Sequence, residues 1–376
     1  MRRKTQQRFK FVNVVFFLAA LSLILYLNLQ PSTSKTFEWN TIRYKTTSLT
    51  RPHAHGICPH LAGSEKPALV VARIAAEDSA WLNGLTDQYH LCVYTADAPL
   101  GVTSTYLQVP ANRGHEAMAY LTFIIDNYEH IPEAGAVFVH GSRFAWHNDA
   151  RDYDNKALLG ILNVSSALAP SGYHNLRCVW SASTCSPSSS EPQGSLATKA
   201  RAILQPYDIR AVSDAALPGA LAILFGHREA NADHSMLGRN DAVRSQCCAQ
   251  FVVARENIWQ HSRAEYVALR QWLLDGSRNT GSQKSLQFSN VAPLDDRIAG
   301  RILSYVWHVL FLKHDGSSTG ISLDRLNKLA CPSAEECYCR LYGRCNLSGC
   351  TTSHCPRQYL LPPNYRLPDD WASTHP

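Results

Sequence analysis

The densest group of residues that could do chemistry lies at positions 140–154, directly after a pattern typical of a buried strand. These fifteen residues include two histidines, three aspartates, two arginines and three aromatic rings. A loop that is only solvated has no need of aromatic rings, so this mixture is typical of a functional loop. Asp152 and Asp154 form an acid-x-acid pair whose carboxylates, in an extended chain, lie on one side. They could share a Mg²⁺ or Mn²⁺ ion that bridges the oxygens of a diphosphate.

Two histidines extend this metal prediction. His147 and Asp149 are an alternative ligand pair, because imidazole also suits Mn²⁺. His308 lies beside the apolar face of a predicted C-terminal helix and would be a third ligand that reaches back to the acidic loop. The competing interpretation of His308 is a packing residue with a satisfied hydrogen bond, and both interpretations stay open.

Further candidates follow the other predicted strands, because ligands of open α/β sheets bind beyond the carboxyl ends of the strands. Arg73 ends the first strand pattern. Residues 112–116, Asn-Arg-Gly-His-Glu, enter a helix whose free N–H groups and positive end suit a diphosphate, although a plain capping loop is the competing interpretation. The candidate nucleotide-binding residues are Arg73, Arg113, His115, His140 and Arg143, and the candidate bases toward an acceptor hydroxyl are Asp149 and Glu116.

The elements that must position these residues alternate along the chain. Strand patterns occupy residues 68–72, 89–95, 105–109, 136–140 and 248–253, and helix patterns occupy 116–128, 263–274 and 296–311. This alternation with short connections predicts an α/β fold with a mixed, mostly parallel sheet flanked by helices. Residues 181–195 contain seven serines and are predicted to form a surface loop.

The N-terminus predicts a membrane anchor. Five basic and no acidic residues occur in positions 1–10, and the next 19 residues, 11–29, carry no charge. A helix of that length matches the roughly 30 Å hydrocarbon core of a bilayer, and the basic flank favours a cytoplasmic N-terminus. A cleaved signal peptide is the alternative. We expect a single-pass protein of the secretory pathway (Golgi, ER or cell surface) with its C-terminal domain in the lumen. The predicted organisation is a cytoplasmic tail at 1–10, a transmembrane signal anchor at 11–29, a stem or linker at 30–66, an α/β domain at 67–330, a Cys-rich module at 331–356 and a tail at 357–376.

The cysteines and the charge agree with that compartment. Six of the twelve cysteines lie between Cys331 and Cys355, in a spacing that suits a disulfide-stapled module better than a zinc site. Cys247 and Cys248 are expected in structural disulfides, and Asn163 and Asn346 begin glycosylation sequons. The net charge is +6, of which the first ten residues supply five, so the remaining 366 residues carry only +1. Nucleic acid is therefore excluded as a partner.

Several longer stretches together resemble the fungal family of unknown function numbered 3431. The stretches are VVAR at 70–73, GHEA at 114–117, VFVHG at 137–141 with RFAWHND at 143–149, CCAQFVVARE at 247–256 and ILSYVWH at 302–308. The resemblance covers residues 67 to 345, and the arrangement also looks like that of GT-A glycosyltransferases. It implies a GT-A or Rossmann-like sheet with an acidic metal motif after a central strand. In this chain His140-Gly-Ser stands at that position, and Asp152 comes twelve residues later.

These observations favour a membrane-anchored, lumenal, glycosyltransferase-like enzyme. It would transfer a sugar from a nucleotide-diphosphate donor to a glycan or glycoconjugate acceptor, with Mn²⁺ or Mg²⁺ neutralising the departing diphosphate. The alternative is a non-catalytic cell-surface protein whose aromatic-rich loop binds glycan. A metal-dependent hydrolase or oxidase is a third possibility.

Overall fold

The computed structural model describes residues 11–23, 36–45, 55–98, 100, 106–169, 171–188, 190–226, 237–278, 290–312 and 320–356. Residues 11–23 form helix α1, and the chain from Thr36 onward forms a separate compact unit. Parts of the predicted organisation lie outside the described residues, namely the tails at 1–10 and 357–376 and residues 24–29 of the predicted anchor. None of the helices described has the length and hydropathy needed to cross a bilayer.

A six-stranded sheet forms the centre of the unit. In chain order its strands are β2 (Ala68–Arg73), β3 (His90–Thr95), β4 (Leu107–Gln108), β5 (Ala136–His140), β6 (Tyr173–Asn175) and β7 (Phe251–Val253). Their spatial order is β4-β3-β2-β5-β7-β6. The first four pair in parallel, whereas β7 is antiparallel to both β5 and β6. The predicted mixed α/β fold with a mostly parallel sheet is thus confirmed.

Helices cover both faces of this sheet. They are α2 (Glu116–Asp126), α3 (Asn155–Gly160), α4 (Val164–Leu168), α5 (Leu196–Leu204), α6 (Ile209–Phe225), α7 (Arg255–Ile258), α8 (Arg263–Arg278), α9 (Asp296–Ser304), α10 (Trp307–Phe311), α11 (Leu323–Ala330) and α12 (Ala334–Tyr342). Short 3₁₀ turns occur at Ala80–Leu85, Tyr128–His130 and Arg151–Tyr153. The segment predicted as one helix at 296–311 is divided into α9 and α10.

The alternation of side chains along the strands divides the core into two clusters. Val70 and Phe138 face the larger cluster, which also contains the inner faces of α2, α8, α9 and α10. Val71 and Val139 face the smaller cluster, which contains apolar residues of α3 and α12. Because successive residues of a strand point to opposite faces, a continuous apolar run such as 68–71 is what a strand buried on both sides requires.

Part of the predicted stem packs into the core. Phe37 and Trp39 are buried with at most 1% exposure, and their rings stack at a centroid distance of 4.3 Å. Strand β1 (Thr36–Phe37) pairs with β8 (Ile321–Ser322) in a second, two-stranded sheet. The folded unit therefore begins at Thr36, because two large aromatic side chains there are removed from water.

All twelve cysteines are paired in disulfides. Two bonds join the C-terminal cysteines to the loop after β6, Cys178–Cys337 and Cys185–Cys331. The other pairs are Cys58–Cys92, Cys247–Cys248, Cys339–Cys345 and Cys350–Cys355. The predicted Cys-rich module is thus disulfide-bonded, and two of its bonds fasten it to the α/β domain.

Candidate active site

A cavity of about 660 Å³ lies at the carboxyl end of β5, between the strand loops and helices α6 and α9. Its lining residues come from six segments of the chain: His115, Glu116, His140, Trp146, His147, Ser181–Thr184, Arg210, Ser245–Cys248, Gly300, Arg301, Ser304 and Tyr305. The parallel strands run in the order β4-β3-β2-β5, so chain connections leave β2 in both directions and β5 borders the point of reversal. Ligands of open α/β sheets bind at that position.

One side of the cavity is built from rings and sulfur. His140 is the last residue of β5, and its Nε2 lies 2.7 Å from the carbonyl oxygen of Cys248. The rings of His140 and His147 lie 4.6 Å apart, and the ring of Trp146 meets that of His147 edge-on at 5.6 Å. The disulfide between the adjacent residues Cys247 and Cys248 completes this surface, which we call the ring wall.

His147 is a neutral imidazole in this wall. Burial lowers the pKa of its ring to about 3, with smaller electrostatic contributions from the neighbouring His140 and Arg177. Its Nε2 is buried and has no hydrogen-bond partner in the described part of the chain. His147 therefore contributes an uncharged ring to the lining of the cavity.

The second side of the cavity is built from charged and polar residues, and we call it the charged wall. It consists of Glu116 from α2, Arg210 and Asp214 from α6, and Arg301 and Tyr305 from the end of α9. Tyr305 donates a hydrogen bond of 2.6 Å from its hydroxyl to Asp214, and Arg301 donates to the Tyr305 oxygen at 3.0 Å. Arg210 lies 3.9 Å from the same Asp214 carboxylate. The wall as a whole holds two guanidinium groups and two carboxylates, so it offers charged hydrogen-bond donors to the cavity without a net formal charge.

A glycine in α9 allows this helix to lie close to the start of α2. His115 has φ +52°, which is uncommon for a residue with a side chain, and it precedes Glu116 at the first turn of α2. A Cβ at Gly300 would lie 3.0 Å from Cδ2 of His115 and 3.2 Å from the Gly114 carbonyl oxygen. Gly300 thus allows α9 to approach the turn that carries Glu116.

The structure brings four of the predicted site residues into the cavity: His115, Glu116, His140 and His147. Arg113 instead clamps neighbouring elements. It is 6% exposed and binds Asp296 at 2.7 Å, and the same Asp296 oxygen accepts from the Gly114 N–H at 2.6 Å. Its guanidinium also donates to the carbonyl oxygens of Leu273, Pro293 and Leu294.

Asp149 and Arg73 also have local hydrogen-bond partners. Asp149 is 4% exposed and accepts hydrogen bonds from the N–H groups of Cys178 and Val179 and from the Tyr338 hydroxyl. This carboxylate therefore ties the loop after β6 to α12. Arg73 donates to the Ala75 carbonyl at 3.0 Å and to that of Glu77, within the turn after β2.

The predicted metal ligands are dispersed among three environments. Both oxygens of Asp154 accept hydrogen bonds from Arg143, and Asp152 lies 3.9 Å from Arg151. His308 is 1% exposed in α10, and burial lowers its pKa to about 3. In the described chain, the only three potential ligands within 4.8 Å of one another are Cys58, His90 and Cys92, whose cysteines form a disulfide. The four predicted ligands thus do not fit a common cation site as they stand.

Several cavity residues are not among the sequence candidates. Arg210, Arg301 and Tyr305 lie on helices far along the chain, and Ser181–Thr184 belong to the stretch predicted as a surface loop. The sequence does give one indication for Arg301, because this arginine lies next to the apolar stripe of the predicted C-terminal helix. An arginine on a fully solvated helix face does not occupy such a position. No local signal distinguished Arg210.

Comparison with known families adds one relationship. A family model described as "Protein of unknown function (DUF3431)" matches residues 69–340. The chain belongs to the DUF3431 family. All cavity residues of this DUF3431 protein, from His115 to Tyr305, lie inside the matched region. No curated protein and no solved structure matches the chain.

Proposed function

We propose that this protein is a glycosyltransferase that transfers a sugar from a nucleotide-diphosphate donor to an acceptor hydroxyl in the cavity. The observation that carries the proposal is the position of Glu116, Arg210 and Arg301 around one cavity beyond the carboxyl end of β5. The carboxylate offers a base for a hydroxyl, and the two guanidinium groups offer charged hydrogen-bond donors for a departing diphosphate. The strand order, with its reversal beside β5, supports a GT-A or Rossmann-like donor site.

The chemistry follows from these groups for a transfer that inverts the anomeric centre. The Glu116 carboxylate takes the proton of an acceptor hydroxyl as that oxygen bonds to the anomeric carbon of the donor. The bond from this carbon to the diphosphate oxygen breaks, and its electron pair leaves with the nucleoside diphosphate. Arg210 and Arg301 stabilise that charge by hydrogen bonds that strengthen as it develops. His147 offers a neutral donor or acceptor to a sugar hydroxyl.

Other parts of the proposal concern cofactor and location. Mn²⁺ or Mg²⁺ stays a predicted cofactor, and no step above passes through a metal, because no three of the predicted ligands lie within 4.8 Å in the described chain. The single-pass anchor at 11–29 and the lumenal position of the folded unit likewise stay predictions. The paired state of all twelve cysteines supports an oxidising compartment.

Calorimetry of the full-length protein with UDP- and GDP-sugars, with Mn²⁺ and with EDTA, tests donor binding. We expect Arg301→Ala and Arg210→Ala each to lower the affinity for the donor about ten- to a hundredfold. This is the range for the loss of a hydrogen bond to a charged group. The matched control is Arg297→Ala on the same helix, whose side chain is 64% exposed and paired with Asp295. This control should bind as the wild type does.

Release of nucleoside diphosphate tests the role of Glu116. Glu116→Gln should retain donor affinity and lose transfer, whereas Glu129→Gln, an exposed position just beyond the other end of α2, should retain both. Failure of every nucleotide sugar to bind the wild type would overturn the proposal. Equal losses in the three arginine variants would also count against it, because they would indicate general damage to the fold.

A further inference from the structure

We propose that Trp146 binds a sugar ring of the acceptor glycan at the mouth of the cavity, an inference that rests on the proposed function. Trp146 lines the cavity and yet is 57% exposed. An indole that borders both the cavity and the solvent suits a ligand that extends out of the cavity. An acceptor chain must extend in this way, because only its reacting hydroxyl has to reach the donor.

The ring of Trp146 is held in place by its neighbours. The guanidinium carbon of Arg177 lies 5.8 Å from the indole centroid, a cation–π contact. Arg177 Nη1 donates to the carbonyl oxygens of Trp146 at 3.3 Å and His147 at 2.8 Å, and its Nη2 donates to Ser181 at 3.0 Å. One residue thus supports the indole and fixes the backbone on which it stands. A ring held in this way loses little conformational entropy when a ligand binds.

The surroundings of the ring match the chemistry of a sugar. A pyranose has an apolar C–H face and a rim of hydroxyl groups, so it needs a flat apolar surface with hydrogen-bonding groups at the edge. The indole supplies the surface, and Ser181 and the uncharged ring of His147 lie beside it on the cavity lining. An aromatic side chain with one wet side is typical of such binding positions. The charged wall holds the diphosphate of the donor, which leaves the ring wall to the sugars.

The same loop provides matched controls. Phe144 is 39% exposed and Tyr153 is 41% exposed, and neither lines the cavity. All three rings stand on residues 141–154, a segment closed by the Arg143–Asp154 pair and by a hydrogen bond from the Ala145 N–H to the Tyr153 carbonyl at 3.4 Å. A general effect of aromatic loss on this loop would appear in all three positions, whereas a sugar contact at the cavity mouth belongs to Trp146 alone.

Binding of linear oligosaccharides to the full-length protein tests the inference. The probes are oligomers of glucose, of N-acetylglucosamine and of mannose, titrated separately, with UDP as an independent probe of the cavity. We expect Trp146→Ala to lower the affinity for whichever oligosaccharide binds the wild type by about tenfold or more, and to leave the affinity for UDP unchanged. Trp146→Phe should recover part of the affinity, and Phe144→Ala and Tyr153→Ala should bind as the wild type does.

The outcomes separate this inference from the proposed function. The role of Trp146 is overturned if the protein binds UDP but no oligosaccharide at millimolar concentration. It is also overturned if the three alanine variants lose oligosaccharide affinity equally. Both outcomes leave the donor site unaffected. Wild-type affinity in Trp146→Ala overturns the role of Trp146 as well. Oligosaccharide binding that depends on Trp146 in a protein that binds no nucleotide supports the glycan contact and overturns the transferase, which would leave a glycan-binding protein.

Discussion

Arg143 holds Asp154 with two hydrogen bonds, from Nε to Oδ1 at 3.0 Å and from Nη2 to Oδ2 at 2.7 Å. Asp154 also caps α3, because its Oδ1 accepts from the Lys156 N–H at 2.9 Å. The carboxylate therefore closes the loop at 141–154 onto the helix that follows it. The Asp152–Asp154 spacing that suggested a shared cation has a second explanation here, in which only Asp154 is engaged in a bidentate pair.

Asp154→Ala should lower the free energy of unfolding by about 1–2 kcal/mol, from the lost helix cap and part of the ion pair. The ion-pair contribution is discounted because the Arg143 side chain is 38% exposed. The control Asp152→Asn keeps a residue type that tolerates the φ of +56° at this position and should cost less than about 0.5 kcal/mol. Urea unfolding measures both. A Mn²⁺-dependent rise in the wild-type melting temperature that either substitution removes would instead support the predicted metal pair.

Arg113→Ala should lower the free energy of unfolding by about 3 kcal/mol or more. The folded fraction of this variant should keep the donor affinity of the wild type. The reason for the lower stability is that Arg113 is buried, so the variant loses the ion pair with Asp296 and the hydrogen bonds to three carbonyl oxygens. Thermal unfolding and donor titration check the two parts. Loss of donor affinity in a variant of normal stability would restore the prediction that Arg113 binds the diphosphate.

The disulfides should differ in what they contribute. Cys178→Ser with Cys337→Ser removes a bond between residues 159 apart and should cost about 2–4 kcal/mol. Cys247→Ser with Cys248→Ser removes a bond between neighbours, which constrains almost no unfolded chain, so the melting temperature should stay nearly unchanged. Donor binding should nevertheless weaken by roughly 1 kcal/mol, because the Cys248 carbonyl that positions His140 can shift. Unfolding and titration of both double variants test this contrast; equal destabilisation would contradict it.

Acidification should destabilise the protein through buried neutral histidines. The pKa of His308 is lowered to about 3 in the folded chain, against 6.5 for the ordinary group. Between those pH values the unfolded chain binds the proton and the folded chain does not, so stability falls as pH drops, by at most about 1.4 kcal/mol per pH unit. The same sign holds for His147 and for His174, whose pKa is lowered to about 4.

His308→Leu isolates this contribution. Both ring nitrogens of His308 are buried without a partner in the described structure, so the variant should be at least as stable as the wild type at pH 7. When the pH falls from 6.5 to 5, the free energy of unfolding of the variant should decrease by about 2 kcal/mol less than that of the wild type. Urea unfolding at several pH values measures the difference, with the exposed His130→Leu as control. Parallel pH profiles for wild type and His308→Leu would refute the assignment.

The local elements were predictable where one stretch of chain carries its own signal. The apolar run at 68–71 predicts a strand buried on both faces, and it is the centre of β2. The apolar period from Ala117 to Ile125 predicts the helix that α2 forms. His140 and His147 were predictable because they lie at and after the end of the strand pattern at 136–140, and Glu116 because it begins this helix. Strand β6, only three residues long, had no such pattern.

Sequence patterns alone predict the α/β class, the disulfide-bonded state of the cysteines and the loops that carry one wall of the cavity. These follow from short-range periodicity, composition and chain order. Packing of the folded chain places Arg210 and Arg301 on the same cavity as that wall, pairs Arg113 with Asp296 and selects which cysteines form disulfides. Such relationships join residues many positions apart, and they form only when helices pack on the sheet, so no local pattern specifies them.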